Sequence, residues 1–188
     1  MIKNKPIIKK VVFVFICIAM GFGLFAGSLF FYWAVLDYRF FTLTEGEVYR
    51  SAAMPSKTLL NKIRKHKIRS VIDFRKPDNG VAIEKETLDQ VGVRHINLPS
   101  KQVPTSENIK TFLLILDNPE NKPLLLHCEH GVGRAGAFSA IYRMEYDKWD
   151  NERAIHESRQ LSGYGSFKKG SNKEVYLRNY TPRWKHSQ

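Results

Sequence analysis

The residues best suited to chemistry lie in one short loop, which reads His127-Cys128-Glu129-His130-Gly131-Val132-Gly133-Arg134-Ala135-Gly136. Glycines at 131 and 133 allow successive backbone N–H groups to turn inward and bind an anion. The helix predicted to follow points its positive N-terminal end at the same place. We expect Cys128 to exist there largely as the thiolate, the form that attacks. Arg134 could hold two phosphate oxygens with its planar guanidinium group.

Two other uses of these residues fit the sequence less well. Cys128 and Cys17 are the only cysteines of the chain, and Cys17 lies in an apolar segment far from Cys128. A structural disulfide between them is therefore not expected. Glu129 and His130 are adjacent in a tight loop and lack the usual spacing of metal ligands. We accordingly predict neither a metal nor a cofactor.

The elements around the loop must place it at the edge of a sheet. Residues 123–126 are wholly apolar, as in strands buried on both faces, and a helix is predicted over 135–146. The other predicted strands are residues 48–50, 69–74 and 93–98. Of the other predicted helices, one begins with Ser56 as its cap, and one spans 81–91 and is ended by Gly92. A third is capped by Thr105 or Ser106 and ends before Pro119, and the last spans 151–161 with Asp150 as its cap. This alternation predicts a mainly parallel sheet with helices on both faces. Ligands bind such sheets beyond the carboxyl ends of the strands, where this loop begins.

The pattern of His-Cys, five residues and then Arg, with its glycines and its strand and helix, resembles the signature of the cysteine-dependent protein-tyrosine-phosphatase superfamily. The nearer match is the atypical dual-specificity branch. Residues 49–52 (Tyr-Arg-Ser-Ala) and 71–75 (Val-Ile-Asp-Phe-Arg) also resemble segments that precede the loop in bacterial, plant and fungal members. The likeness is strongest over 123–146 and extends over 46–161. It implies an α/β fold with a central, mainly parallel sheet flanked by helices.

The resemblance also implies a mechanism without a metal. Cys128 would attack phosphorus and form a phosphocysteine, while Arg134 and the loop amides would stabilise the phosphate oxygens. His127 would adjust the thiolate from behind the loop, or would simply be a hydrogen-bonded core histidine. The implied phosphate-binding residues are Glu129, His130, Gly131, Val132, Gly133 and Arg134.

The sequence departs from the family pattern at the residue after the arginine. The family usually has Ser or Thr there, whose hydroxyl helps the thiolate to leave in the second step. Here the residue is Ala135. The departure suggests a slow second step, or a catalytically impaired module that binds phosphorylated ligands without turnover. A rhodanese-like sulfur carrier is a third possibility, because that reaction also uses a cysteine in an anion-binding loop.

The second departure concerns the general acid, which in the family is usually an Asp well upstream of the cysteine. No Asp occurs between Asp89 and Asp117. Glu107 is the candidate proton donor, although its place in a first helical turn also suits an interaction with the helix dipole. The remaining candidates are assigned other roles: His95 in a strand, and Asp73 and Asp78 in ion pairing or turn formation.

The N-terminal part of the chain predicts a membrane helix. Residues 11–36 are 26 consecutive residues without a formal charge, which is long enough to span a bilayer. Aromatic residues crowd the far end, as at a membrane–water boundary. A signal peptide cleaved near 26–28 is the alternative, although this apolar run exceeds a usual signal core. We predict a basic N-terminus over 1–10, a transmembrane helix over 11–36, a linker over 37–47 and a catalytic domain over 48–188.

The distribution of charge suggests where the domain lies and what it meets. Four lysines and no acid precede the apolar run, so the positive-inside rule places residues 40–188 outside the cytoplasm. In a Gram-negative cell that compartment is the periplasm. The remaining 26 Lys and Arg outnumber the 18 acidic residues, which suits anionic lipid or a phosphorylated substrate. The predicted substrate is a protein that carries phosphotyrosine or phosphoserine, or the phosphate of a membrane phospholipid or glycolipid. Nucleic acid is not predicted, since no nucleic-acid-binding motif accompanies the charge; a merely solvated basic surface stays open.

Overall fold

The computed structural model describes residues 5–162 and 165–186, and the chain divides into two compact units between Asp37 and Tyr38. Lys3 of the predicted basic N-terminus and the last two residues of the predicted catalytic domain lie outside the described residues. The two units are described separately.

The first unit is one long helix. Helix α1 (Lys5–Phe31) continues into a π-helical turn over Tyr32–Leu36. The 29 residues from Ile8 to Leu36 are long and apolar enough to cross a membrane, and most of their large apolar side chains are exposed within the protein. Length and composition of this kind fit a membrane span and a signal sequence alike. The predicted span over 11–36 lies inside this helix.

The second unit is built on a five-stranded sheet. Its strands are β1 (Phe41–Thr44), β2 (Val48–Ala52), β3 (Ser70–Asp73), β4 (Arg94–Asn97) and β5 (Leu124–Cys128). They lie in the order β1-β2-β5-β3-β4, with β1 antiparallel to β2 and the other neighbours parallel. The predicted mainly parallel sheet is therefore confirmed. The strand β5 is central, and all five of its residues are buried.

The polar linker predicted over 37–47 is wrong over its middle part, because these residues include strand β1. Leu43 is buried in the core, and Phe41 packs against that core, whereas the intervening threonine faces away from them. This alternation is the pattern of a strand with one buried face. Four residues directly after a long apolar helix gave too short a pattern for sequence analysis to detect.

Helices cover both faces of the sheet, as expected. They are α2 (Ser56–His66), α3 (Asn79–Asp89), α4 (Ser106–Asp117), α5 (Arg134–Glu145), α6 (Asn151–Leu161) and α7 (Asn172–Arg178). Leu59 of α2 and Leu88 of α3 pack with Tyr49, Val71 and Leu125 on one face. The apolar sides of α4 to α7 pack with the alternate strand residues on the other face. Because strand side chains alternate between faces, each face has its own core.

The helix ends confirm some predicted caps and correct others. Thr105 and Asp150 cap α4 and α6, accepting hydrogen bonds from Asn108 N and Arg153 N. Ser56 is not a cap: Pro55 occupies that position, and Ser56 is the first helical residue, with Oγ 3.0 Å from Thr87 Oγ1.

Two further differences from the predicted helices concern the end of α3 and the presence of α7. Helix α3 ends at Asp89, two residues before the predicted end, and Gly92 follows it with a φ of +71°. Helix α7 was not predicted, because seven polar-rich residues carry little periodic signal.

Candidate active site

The predicted loop begins at the carboxyl end of the central strand. Cys128 is the last residue of β5 and Arg134 is the first residue of α5, so residues 129–133 alone connect them. The strand reaches two residues beyond the predicted apolar run and carries Cys128 with it. The Cys128 side chain is 2% exposed. Its carbonyl oxygen accepts a hydrogen bond from Ala53 N at 2.9 Å, just beyond the end of β2.

The two glycines of the loop differ in what a side chain at each position would meet. Gly131 has a φ of +64°, and a Cβ there would lie 2.6 Å from Ala52 N. Gly133 has a φ of −80°, but a Cβ there would collide with the amide of Gln102. The loop thus turns at Gly131 and is closely approached by Gln102 at Gly133.

A cavity of ≈ 480 Å³ opens beside the loop. It is lined by Arg75, Lys76, Asp78, Ser100, Lys101, Gln102, Glu129 and Arg134. Arg134 is half-buried, and its Nη1 donates a hydrogen bond to Phe74 O at 2.7 Å. This bond fixes the guanidinium at the end of the neighbouring strand β3. Glu129 and Arg134, both predicted to bind phosphate, therefore share one cavity, whereas the exposed His130 is not among the described lining residues.

The proposed proton donor is not brought to this cavity. Glu107 is exposed in the first turn of α4 and is absent from the described residues that line the cavity. The lining carboxyl groups are those of Asp78 and Glu129. Asp78 also caps α3, since its Oδ1 accepts a hydrogen bond from Val81 N at 2.8 Å. Ion pairing or turn formation was the role predicted for Asp78; the helix cap was not predicted.

Behind the loop, on the sheet face that α2 and α3 cover, lies a group of buried charged residues that we call the balanced cluster: Asp73, Arg75, Glu84, His95 and His127. His127 Nε2 lies 2.8 Å from Glu84 Oε1. Arg75 Nη2 contacts Asp73 Oδ2 at 2.8 Å and Glu84 Oε2 at 2.7 Å. His127 is thus a hydrogen-bonded core histidine, the second of its two predicted roles.

Electrostatics within the balanced cluster keep Asp73, Glu84 and His95 charged. Burial alone would raise the pKa of Asp73 and Glu84. The nearby histidines and Arg75 lower the pKa of Glu84 to about 2 and that of Asp73 further. Burial opposes protonation of His95, but the carboxylates of Asp73 and Glu84, at 3.7 and 3.3 Å from its Nε2, raise its pKa to about 9. At neutral pH the two carboxylates are therefore matched by Arg75 and a protonated His95.

The same cluster bears on metal binding. Ligand atoms of Asp73, Glu84 and His127 lie within 4.8 Å of one another, as in a metal site. However, the guanidinium of Arg75 already contacts both carboxylates. The carboxylate oxygens that could bind a metal therefore already contact an arginine and a histidine in the structure.

Sequence reasoning missed three residues around the loop. Arg50 is buried in β2, and its Nε and Nη2 donate hydrogen bonds to Gly131 O. A charged residue inside a strand of buried neighbours was the available signal for it. Gln102 and Lys173 reach the loop region through the folding of distant segments, and no local pattern marks them.

Comparison with known proteins agrees with this geometry. The family described as "DSP-PTPase phosphatase fused to NAD+ Kinase" matches residues 41–176. The dual specificity protein phosphatase TpbA of Pseudomonas aeruginosa (strain UCBPP-PA14) is 29% identical over 133 residues, which cover 70% of this chain and 58% of TpbA. The chain thus spans 58% of the length of this curated relative.

Solved structures show the same fold. A crystal structure of P. aeruginosa TpbA has a TM-score of 0.63 at 25% identity, covering 77% of this chain and 86% of TpbA; a second TpbA structure contains pTyr. The catalytic core of the S. cerevisiae PP-IP phosphatase SIW14 has a TM-score of 0.65 at 20% identity, covering 76% and 85%. PTPMT1 in complex with PI(5)P has a TM-score of 0.60 at 15% identity, covering 74% and 92%.

These likenesses differ in what they establish. SIW14 and PTPMT1 share the fold, whereas the family match extends over most of the chain and includes both Cys128 and Arg134. The chain therefore belongs to the dual-specificity phosphatase family of the cysteine-dependent protein-tyrosine-phosphatase superfamily.

Proposed function

We propose that this protein hydrolyses phosphomonoesters through a phosphocysteine on Cys128. The observation that carries the proposal is the single loop that joins Cys128, at the end of β5, to Arg134, at the start of α5. Glu129 and Arg134 of this loop line a cavity that also presents Lys76 and Lys101. A substrate phosphate in that cavity would meet positive charge and the N-terminal end of α5.

In the first step the Cys128 thiolate attacks phosphorus. The new S–P bond forms while the P–O bond to the leaving group breaks, and the leaving oxygen takes the electron pair. Arg134 keeps one guanidinium nitrogen on Phe74 O and would offer others to the equatorial phosphate oxygens. A phenol leaves readily, which reduces the need for a proton donor; such donors typically contribute about 10²–10⁴-fold.

In the second step water attacks the phosphocysteine. The S–P bond breaks, and its electron pair returns to Cys128 as the thiolate. The position that usually supplies a hydroxyl here is Ala135, which is fully buried. We propose that thiolate release is consequently slower than in relatives with Ser or Thr at this position.

For the substrate we propose phosphotyrosine on a protein. Support comes from TpbA, whose sequence identity to this chain is higher than that of SIW14 or PTPMT1. TpbA is named as a dual specificity protein phosphatase and has been crystallised with pTyr. A membrane phospholipid or glycolipid phosphate is the second candidate. It is favoured by the long apolar helix and by the fold likeness to PTPMT1, whose structure holds PI(5)P.

The main alternative is a module that binds phosphate without turnover. Ala135 and the lack of an Asp between Asp89 and Asp117 motivate it. Measurement of phosphate released from an aryl phosphate by the full chain in detergent separates the two functions. We expect multiple turnovers from the natural chain and from Cys17→Ser, a matched control in the apolar helix, and none from Cys128→Ser. Tight vanadate binding without any turnover would support the alternative.

The same assay tests the proton donor. If Glu107 donated a proton to the leaving group, Glu107→Gln would lose activity most strongly on substrates with poor leaving groups. Its exposed place outside the cavity leads us to expect near-normal rates on both activated and unactivated aryl phosphates. A large, leaving-group-dependent loss would restore Glu107 as the donor.

We further propose that α1 is a retained anchor, with residues 40–188 outside the cytoplasm. The length of the apolar run and the lysines before it support this orientation. The full-length protein should then sediment with membranes and resist carbonate extraction, and protease added to spheroplasts should digest the domain. A mature chain starting near Leu29 would indicate a signal peptide instead, and protection of the domain would reverse the topology.

A further inference from the structure

On the face of the sheet opposite the balanced cluster, a buried arginine is hydrogen-bonded to the loop. Arg50 is 2% exposed, and its Nε and Nη2 donate hydrogen bonds to Gly131 O at 3.0 and 2.7 Å. Its Nη1 is buried and has no hydrogen-bond partner among the described residues. In the strand register Arg50 and Ala52 lie beside Leu126 and Cys128. The side chains of Arg50 and Cys128 therefore occupy the same face.

A lysine from the C-terminal segment joins Arg50 on this face. Lys173 is 6% exposed, and its Nζ donates a hydrogen bond to Ser166 Oγ at 2.9 Å. The same Nζ lies 4.6 Å from the centre of the Phe167 ring. A Cβ on Gly136 would lie 2.9 Å from the Phe167 ring and 3.4 Å from Arg50 Nη2. The lysine, the ring and the arginine thus meet at the first turn of α5.

Neither cation has an acidic partner in the described ranges 5–162 and 165–186. The nearby Glu157 bonds Arg143 Nε and Nη2, and Glu174 bonds Arg178. Burial lowers the pKa of Lys173 to about 8 and that of Arg50 to about 10. The nearby Cys128 sulfur acts on the pKa of both groups in the opposite direction, and so does Glu157 on that of Arg50. An unpaired buried charge costs several kcal/mol, so these cations need an anion on this face.

We propose that Arg50 and Lys173, here called the rear pair, are positioning residues that hold the negative charge of the Cys128 sulfur. Arg50 also fixes the carbonyl of Gly131 and so the turn of the phosphate loop. The inference rests on the proposed phosphocysteine mechanism and identifies what supports its sulfur chemistry.

The rear pair would act twice in the reaction. It stabilises the thiolate before attack on phosphorus, and again when water attacks the phosphocysteine and the S–P electron pair returns to sulfur. The rear pair transfers no proton: the proton from the attacking water passes to solvent. In this way two cations behind the loop would supply part of the stabilisation that the family usually obtains from a hydroxyl at the position of Ala135.

The first test removes one charge without changing the size of the side chain. In a Cys17→Ser background, the rate of Cys128 alkylation by iodoacetamide is measured against pH for the natural Lys173, Lys173→Met and Lys173→Arg. We expect the pH midpoint to rise by about one pH unit in Lys173→Met, because an opposite charge typically shifts such a midpoint by about 1–3 pH units when it is close. Lys173→Arg should restore it, and the exposed Lys169→Met serves as the matched control.

Stability measured on the same variants separates this role from a structural one. Lys173→Met replaces a buried cation by an apolar side chain of similar volume, and the cost of keeping that charge away from water disappears. The variant should therefore unfold at an equal or higher temperature. A lowered melting temperature with an unchanged alkylation midpoint would make Lys173 a structural residue and overturn the proposal.

Arg50→Lys tests the other member of the rear pair. Lysine retains the charge but cannot form the paired bonds to Gly131 O. We expect vanadate binding to weaken about tenfold while the alkylation midpoint moves less than in Lys173→Met. Unchanged vanadate affinity would remove the positioning role from Arg50. Alkylation needs no turnover, so an inactive protein whose midpoint still responds to Lys173 would contradict the proposed function and not the rear pair.

Discussion

Buried charged residues lie behind the loop on both faces of the sheet. On one face positive and negative groups are paired, whereas on the other face both groups are positive. In the balanced cluster, Arg75 and a protonated His95 match the carboxylates of Asp73 and Glu84. In the rear pair, Arg50 and Lys173 meet a carbonyl, a hydroxyl and an aromatic ring. Paired charge stabilises a fixed structure, whereas unpaired positive charge is available to an anion. The comparison suggests that one face holds the loop in place and the other supports its chemistry.

Arg75→Met should give the largest effect, because it leaves two carboxylates buried without their shared partner. Breaking a buried ion pair in this way costs about 3–5 kcal/mol. Urea unfolding should therefore show a strong loss of stability. Lys85→Met on α3, the helix that carries Glu84, removes an exposed pair with Asp89. It should change the unfolding free energy by about 0.5 kcal/mol or less. Equal effects of the two substitutions would contradict a balanced cluster.

Arg134→Lys should lower kcat/KM by about 10²-fold or more, comparable to the loss of one preorganised donor in a transition-state site. A point ammonium cannot make two parallel hydrogen bonds to phosphate, so vanadate inhibition should weaken as well. The unfolding free energy should change far less than in Arg75→Met, since Arg134 is half-buried and lines the cavity. Near-normal kinetics would show that Arg134 does not bind phosphate.

The balanced cluster should also make stability depend on pH. The folded-state pKa of His95 is raised to about 9, so its contribution is complete below the unfolded pKa of about 6.5. That contribution is lost as the pH rises from there through about 9. Unfolding free energies measured from pH 6 to 10 should fall accordingly, and His95→Gln should flatten the curve. An equally steep fall in the variant would assign the pH dependence to another group.

Ala135→Ser should give the smallest effect, a few-fold rise in turnover with a smaller pre-steady-state burst. A hydroxyl would assist the departing thiolate, but the rear pair already supports it. The gain should therefore be larger in the Lys173→Met background than in the natural chain. Rapid-quench kinetics with an activated aryl phosphate measure both. If the natural enzyme shows no burst and neither serine variant is faster, thiolate release is not limiting.

The strand, loop and helix that carry the chemistry were predictable because their signals are local. Residues 124–126 are apolar, glycines follow at 131 and 133, and a helix begins directly afterwards. Strand β1 was not predictable, since only four residues carry its alternation. The rear pair depends on two segments far apart in sequence, and no local pattern joins Arg50 to Lys173. The balanced cluster was not predictable for the same reason, since its residues come together from β3, α3, β4 and β5.

The central claim is that phosphate passes through the sulfur of Cys128. Acid quench within the first turnover, followed by mass spectrometry of the peptide that contains residue 128, tests it directly. We predict a phosphate adduct on Cys128 that forms and decays at rates consistent with turnover and is absent in Cys128→Ser. Turnover at a normal rate without that adduct would contradict the phosphocysteine mechanism.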